Sequence, residues 1–576
     1  MKSPKKVLSI LFYSFIVCAI AIAAPRGEQN LVPSGHWVYD ALTQLEMECG
    51  RYHFIDQAPL SIEQIKASMN DIVYDVLSDV GKIQYQRILD YFEEENWSLN
   101  AGIFSLGTEI DVNLEGYVKT SDQIDWIYGY HDRKPFLNMP FKLDLGNYLT
   151  AFMGLRAGQN RTIMEKHENY VNHVFTPDAF DPFLVRDTYL STGHVFDSDV
   201  GFNFRIGMGN QSIGRTILGS SILSDYMPDA GYAQFSVFSP VFNYVMNITQ
   251  LNRDTYMYTH RLEARFFKKF TFSILEGVLP YSAFDLRFLN PLGIYHGLAL
   301  FEEYNLTSYF ALKINFVPIK NLRIYGLYVQ DEHQLASEKS SGADYVPEAM
   351  GFQGGVEVNV PTETGYFRFS AEGYYSSPFM YIKESPNWTF VKTSREMVDG
   401  TADTYDWIGS PLGPDSVGAK FTAGYEKPGK WSLDFSYLFG ARGEYSSKDI
   451  FTSIGWNSTT ASASKFGNTQ NPAGWIYPTG NNPGAKDYKA PHGIPEYCHS
   501  FSLKGMWNAN RWMTLAAQPS YTFVFNRGHK DSSFAQGFEV ALSCRMSLNK
   551  LFVNVPSCYF ITHDRLDAES ASEEVK

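Results

Sequence analysis

From Leu99 onward the apolar residues recur with a period of two. In 109–119, Ile110, Val112, Leu114, Gly116 and Val118 share one face, and Glu109, Asp111, Asn113, Glu115 and Lys119 share the other. Leu262, Ala264 and Phe266 alternate with Arg261, Glu263 and Arg265, and Phe367, Phe369 and Ala371 with Arg368, Ser370 and Glu372. Trp431, Leu433, Phe435, Tyr437 and Phe439 oppose Ser432, Asp434 and Ser436; Phe538, Val540, Leu542, Cys544 and Met546 oppose Glu539, Ser543 and Arg545. One such stretch predicts only a half-buried strand. About twenty of them with no helix between predict an all-β transmembrane fold, an antiparallel barrel with apolar faces toward lipid and polar faces lining the lumen. A propeller would repeat at a period of about 40–50 residues, and no such repeat is visible. A secreted sandwich would not need charge-rich faces opposite its core.

Before Leu99 the period is helical. Trp37 to Met47 predicts a short helix opened by Ser34-Gly35. Ser61 is placed to N-cap a run in which Ile62, Ile65, Met69, Ile72, Val73, Val76 and Leu77 recur at helical spacing, and Ile83 to Phe92 continues it. Residues 24–95 are therefore expected to form a small periplasmic helical region packed on the end of the barrel. The chain opens with a basic start, an apolar run from Val7 to Ala24 and the small-x-small Ala21-Ile22-Ala23, so residues 1–23 are expected to be a cleaved signal peptide. The barrel is assigned to 96–563. At roughly 25 residues per strand with its loop, and with the even-number rule, this gives about 18 strands. Tight connections such as 318–321 and 426–429 belong at the periplasmic side, and the long ones, above all 441–497, at the outer side. Residues 564–576 form an acidic tail expected to be disordered.

Composition sharpens this picture. Aromatics make up 16 % of the 576 residues, with 43 Phe and 37 Tyr, which suits a wall that meets lipid with alternate residues. Removing the signal takes three lysines and no acids, moving the formal charge from −14 to about −17. Such a chain repels nucleic acid and anionic headgroups. Of the cysteines left, Cys49, Cys498, Cys544 and Cys558, the last two are expected on consecutive strands joined near Asn549-Lys550 in a register that keeps them apart. There is no CxxC and no ligand-spaced Cys/His cluster, so neither a metal nor another cofactor is expected.

Four ordered blocks give the chain a resemblance. They are Phe204-Arg205-Ile206-Gly207 leading to Ile213-Gly214-Arg215 and 218–225; His260-Arg261-Leu262-Glu263 with 272–277; 287–296, around Asn290-Pro291; and Lys320 to Gly326, ending at Asp331-Glu332. In order and spacing they resemble the Wzi family of capsule-assembly outer-membrane proteins, and Pro59-Leu60-Ser61 is similar to that family's periplasmic helical segment. The Gly207-Met208-Gly209 stretch lacks the basic residue expected there. The resemblance implies a barrel that binds surface polysaccharide and helps capsule or exopolysaccharide attachment or assembly. The alternative is a porin-like channel for small solutes.

Arg205, Arg261, Glu263, Arg265 and Glu276 fall on or beside the interior faces, with Arg215 and Arg287 near strand ends. Arg–carboxylate forks satisfy inward charges well because the guanidinium donors match two carboxylate oxygens. These residues read first as lumen salt bridges and second as a sugar-binding lining. In the loop 441–497, Trp456, Trp475, Tyr477 and Tyr488 stand among amides. They read first as pins for the loop and second as platforms for sugar rings. Trp126 and Trp431 are expected in the interfacial girdle. No Ser of G-x-S-x-G type accompanies His260 or His296, so no enzyme is expected. Lipid, a surface polysaccharide and a monomeric state complete the expectations.

Overall fold

The computed structural model describes residues 22–24, 26–94, 96–129, 132–159, 169–172, 180–197, 199–281, 284–301, 306–333, 339–340, 345–397, 401–456, 474–479 and 483–551. Nearly all of the expected leader, its Cys18, Cys558 and the acidic tail 564–576 lie outside these residues. Ile22–Ala24 pairs antiparallel with Asn96–Ala101.

Eighteen antiparallel strands close into a barrel. The first is bent, built from Phe104–Thr108 and Asp111–Lys119. Leu137–Leu145 and Leu149–Gln159 follow, and the wall then runs strand by strand to Phe534–Ser547. That last strand pairs back onto the first, from Glu539 opposite Lys119 to Ser547 opposite Asp111. The further strand expected beyond Asn549-Lys550 lies outside the described residues. The chain turns into the short helix Leu548–Leu551.

The two faces sort as the alternation requires. Leu114, Val118, Phe204, Ile206, Leu262, Phe369, Phe435, Leu503 and Leu542 are exposed on the outside, while Asp111, Asn113, Glu115, Asn203, Arg205, Arg261 and Glu263 are buried inside. No helix among the described residues is long and apolar enough to cross a membrane. The apolar band belongs to the strands, as in outer-membrane barrels. Trp431 lies opposite Trp507, both exposed beside the turn 428–430, where a girdle residue belongs. Trp126 does not join the girdle. It folds inward, with the Lys119 ammonium 4.7 Å from its ring centroid and the Arg133 guanidinium at 5.0 Å.

Short turns such as 239–241, 267–269 and 428–430 gather at one end of the wall, here the turn end. The long connections gather at the other, the loop end. Among the described residues three α-helices precede the wall: α1, Trp37–Cys49; α2, Ile62–Met69; and α3, Asp79–Phe92. Ser61 caps α2 as expected, in a reciprocal box with Gln64. The helix stops at Met69, earlier than its apolar spacing predicts. Just beyond, Asp71 is drawn off to the wall and turns, its carboxylate gripped by Arg265 and Lys268 and its carbonyl by Arg51.

The helical region does not merely cover the end of the barrel. It is seated within the wall and reaches across it. Asn30 donates to Asp144 on one side of the lumen, and Arg87 pairs with Glu426 on the other. Its core of Val38, Leu42, Leu45, Ile62, Ile65 and Ile88 is buried.

Candidate functional site

The inward charges hold this plug in place. Asp56, in the link between α1 and α2, accepts from Tyr52 Oη at 2.8 Å and lies 3.2 Å from Lys313 Nζ and 3.5 Å from Arg323. Arg323 also reaches Glu357 at 2.8 Å. Burial alone would raise the Asp56 carboxyl, but Lys313 and Arg323 outweigh it and bring it down to about 2. Arg205 donates to the carbonyl of Pro59 and to Gln234; Arg261 donates to Gln57 and lies 3.0 Å from Glu263; Arg265 grips Asp71. These lumen arginines are therefore anchors between wall and plug, a role their alternation announces without naming the partner. Asp56, Lys313 and Arg323, all buried, are not among the residues the sequence singles out. The signal lay in Arg323 and Lys313 holding inward positions on neighbouring strands.

A second insertion lies above the plug. Residues 210–229, between Gly201–Gly209 and Ala230–Phe238, leave the wall and cross the lumen. Ser212–Ile213 pairs with Gln57–Ala58 of the plug. Farther on, the amides of Ile217 and Leu218 donate to Glu372, and Ser221 donates to Gln353. Gly214 and Gly219 bend this crossbar with φ of 85° and 82°. A Cβ on Gly219 would come within 2.8 Å of Ser224 Oγ and 2.9 Å of Pro411. Arg215 pairs with Asp40 of α1 at 2.5 Å.

The loop end carries a third closure. Phe379, Tyr381, Trp388, Phe390, Trp407, Phe451, Trp456, Trp475 and Tyr477 form one buried aromatic cluster. Trp456 Nε1 donates to Asn387 Oδ1 at 2.9 Å, and Trp475 Nε1 to the Lys383 carbonyl at 2.7 Å. Trp456, Trp475 and Tyr477 thus hold the loops together with their rings buried. Tyr488, stacked at 3.8 Å on His492, is half-buried, as is Tyr445.

Between plug, crossbar and wall lies a polar cavity of about 410 Å³. Its lining includes Asp40, Thr43, Gln57, Arg215, Glu357, Arg368, Ser370 and Asp434. Arg368 bridges Glu426 at 2.9 Å and Asp434 at 2.6 Å. The guanidinium groups of the lining, Arg215 and Arg368, are thus already paired with carboxylates. No group of three or more potential metal ligands comes together among the described residues.

Two sequence candidates lie outside the lumen. In Phe270–Pro280 the inward positions fall to Leu275 and Gly277, so Glu276 faces outward. There it meets His260 Nε2 at 2.8 Å. Arg287 belongs to the connection that follows and pairs with Asp285 at 2.8 Å.

This architecture has counterparts among solved structures. Wzi of Escherichia coli, described as an outer-membrane protein involved in group 1 capsule assembly and a carbohydrate-binding β-barrel, is 12 % identical. It matches with a TM-score of 0.52 over 89 % of this chain and 99 % of its own. OmpT of Vibrio cholerae matches at 9 % identity and a TM-score of 0.30 over 78 % of this chain and 99 % of its own. OpdK of Pseudomonas aeruginosa matches at 11 % identity and 0.36 over 76 % and 98 %. No family model and no curated protein sequence matches the chain. The likeness to Wzi is one of fold: an outer-membrane β-barrel aligned over nearly the whole of both chains.

Proposed function

We propose that this chain is an outer-membrane protein that binds surface polysaccharide and helps attach or assemble it, acting as a monomer and not as an enzyme. The observation that carries this reading is the filling of the lumen by inserted segments. Plug, crossbar and aromatic cap occupy successive levels of a barrel whose fold is that of a carbohydrate-binding protein. A wall filled in this way is suited to holding a ligand at its loop end. The Tyr488–His492 stack offers one flat surface there, beside Glu444, which accepts from the amide of Ile494. Short turns and plug would then face the periplasm.

Binding of the purified barrel to the native surface glycan on an array tests the reading, with Tyr488→Ala as the local probe. Weakened binding with the wild-type fold supports it. Absence of binding by the unaltered protein, together with an unchanged surface layer after gene deletion, would sink it.

A channel is the second reading. Lys504 is exposed on an inward position of Glu496–Asn510, so part of the lumen along that wall stays wet. A large open-state current in a planar bilayer would favour it over the first.

A further inference from the structure

Described residues of the connections 377–415 and 443–495 gather in the buried aromatic cluster. The connection between Phe270–Pro280 and Leu306–Phe316 descends along the outside of the wall. Its short helix α4, Tyr295–Phe301, begins at the level of Glu276, whose carboxylate accepts from the amides of Tyr295 at 3.0 Å and His296 at 2.8 Å. Glu276 stands four positions back from Pro280, the loop end of its strand. At the rise of a tilted strand this is about 10 Å below the rim. Pro291 reaches lower still, its carbonyl accepting from Tyr244 Oη at 2.8 Å, two positions from the turn end of Phe242–Asn252.

What the segment covers and what it shows to the outside differ in kind. Beneath it, His260 and Glu276 form a polar patch on the lipid side of the wall, with the Tyr295 ring stacked on His260 at 4.4 Å. Such a pair left bare in hydrocarbon would be costly. Outward, Phe284, Leu286, Leu292 and Ile294 are exposed, Leu292 at 90 % and Ile294 at 73 %. On the same strands the exposed Leu262, Ile274 and Ile314 continue the surface toward the turn end, so the apolar tips extend the band that already faces lipid.

We propose that residues 284–298 form a lipid-immersed flap, with Leu286, Leu292 and Ile294 among acyl chains and the His260–Glu276 pair sealed beneath. The occupant is the hydrocarbon of the adjoining leaflet. The proposal rests on the barrel spanning a membrane and not on its glycan.

The test places a photoreactive benzophenone amino acid at Leu292, and separately at Ile294, in the full chain. The protein is refolded into phosphatidylcholine–phosphatidylglycerol vesicles, with folding checked by heat-modifiable gel migration. Phe369 on the apolar band serves as the positive control and the exposed loop-end Lys530 as the negative one. Both sites lie at exposed positions, so either suffices if the other fails to fold. The expected result is an acyl-chain adduct at the flap in a yield within about threefold of that at Phe369. A flap yield no greater than at Lys530, or adducts chiefly with a second protein copy, would overturn the proposal.

Discussion

Asp56 and Asp415 are both buried carboxylates, and pH acts on them in opposite directions. Asp56 is held down to about 2 by Lys313 and Arg323. Its contribution is complete above its ordinary value of about 4 and is lost only as pH falls toward 2. Asp415, at the loop end, accepts from the amides of His492 and Tyr445, but burial pushes it up to about 7. It binds its proton more tightly folded than unfolded. Its contribution is therefore complete below about 4 and fades as pH rises through 7. Exchange protection of the His492 and Tyr445 amides should fall between pH 5 and 8, and Asp415→Asn should flatten that profile; an unchanged slope in the variant would refute the assignment. Asp56→Ala leaves the buried Lys313 without its ion-pair partner and Arg323 with Glu357 alone, and should cost about 3–5 kcal/mol in urea unfolding followed by tryptophan fluorescence. A loss under about 1 kcal/mol would mean that water already reaches the pair.

At the scale of elements, the crossbar 210–229 has a role that can be measured. It meets the plug through Ser212–Ile213 and the wall through Glu372 and Gln353. Replacing 212–224 with a short Gly-Ser linker should convert a silent barrel into one with measurable single-channel current. Continued silence would assign closure to plug and cap alone. Gly219→Val, which forces a β-branched side chain into a left-handed position against Pro411, should give a smaller and intermittent current. The sequence read the wall well and its contents poorly, for a physical reason. Alternation in 109–119 or 261–266 reports which way a strand residue points, because lipid and lumen differ so sharply. Nothing of that kind marks 210–229, where Ile213, Ile222 and Leu223 are buried by contact with other inserted segments and follow no period. The same gap placed Trp126 in the girdle and Glu276 in the lumen. One lies on an inward-folded connection, and the other is a polar residue on an outer face whose cover comes from a distant stretch of chain.

At the scale of the molecule, closure is distributed over three levels, and the acidic net charge of −14 leaves the chain poorly suited to capture polyanions by bulk attraction. Binding of an acidic glycan should therefore depend on local contacts and change less than about twofold between 50 and 300 mM salt, a range over which charge-driven capture weakens steeply. A tenfold fall measured by surface plasmon resonance would point to a basic patch as the receptor.

The plug also ties the beginning of the chain to its far end. Residues 26–94 are synthesised first, yet they end inside a ring completed only when Phe534–Ser547 meets Asp111–Lys119. Gln44 and Arg87 wait for Glu426, more than three hundred residues downstream, before their contacts exist. A ring that shut early would strand its own beginning outside, with the arginines of its inner face unpaired. The joining of first and last strands, from Lys119 opposite Glu539 to Asp111 opposite Ser547, brings together parts of the wall more than four hundred residues apart, and contacts of such separation are the slow ones to form.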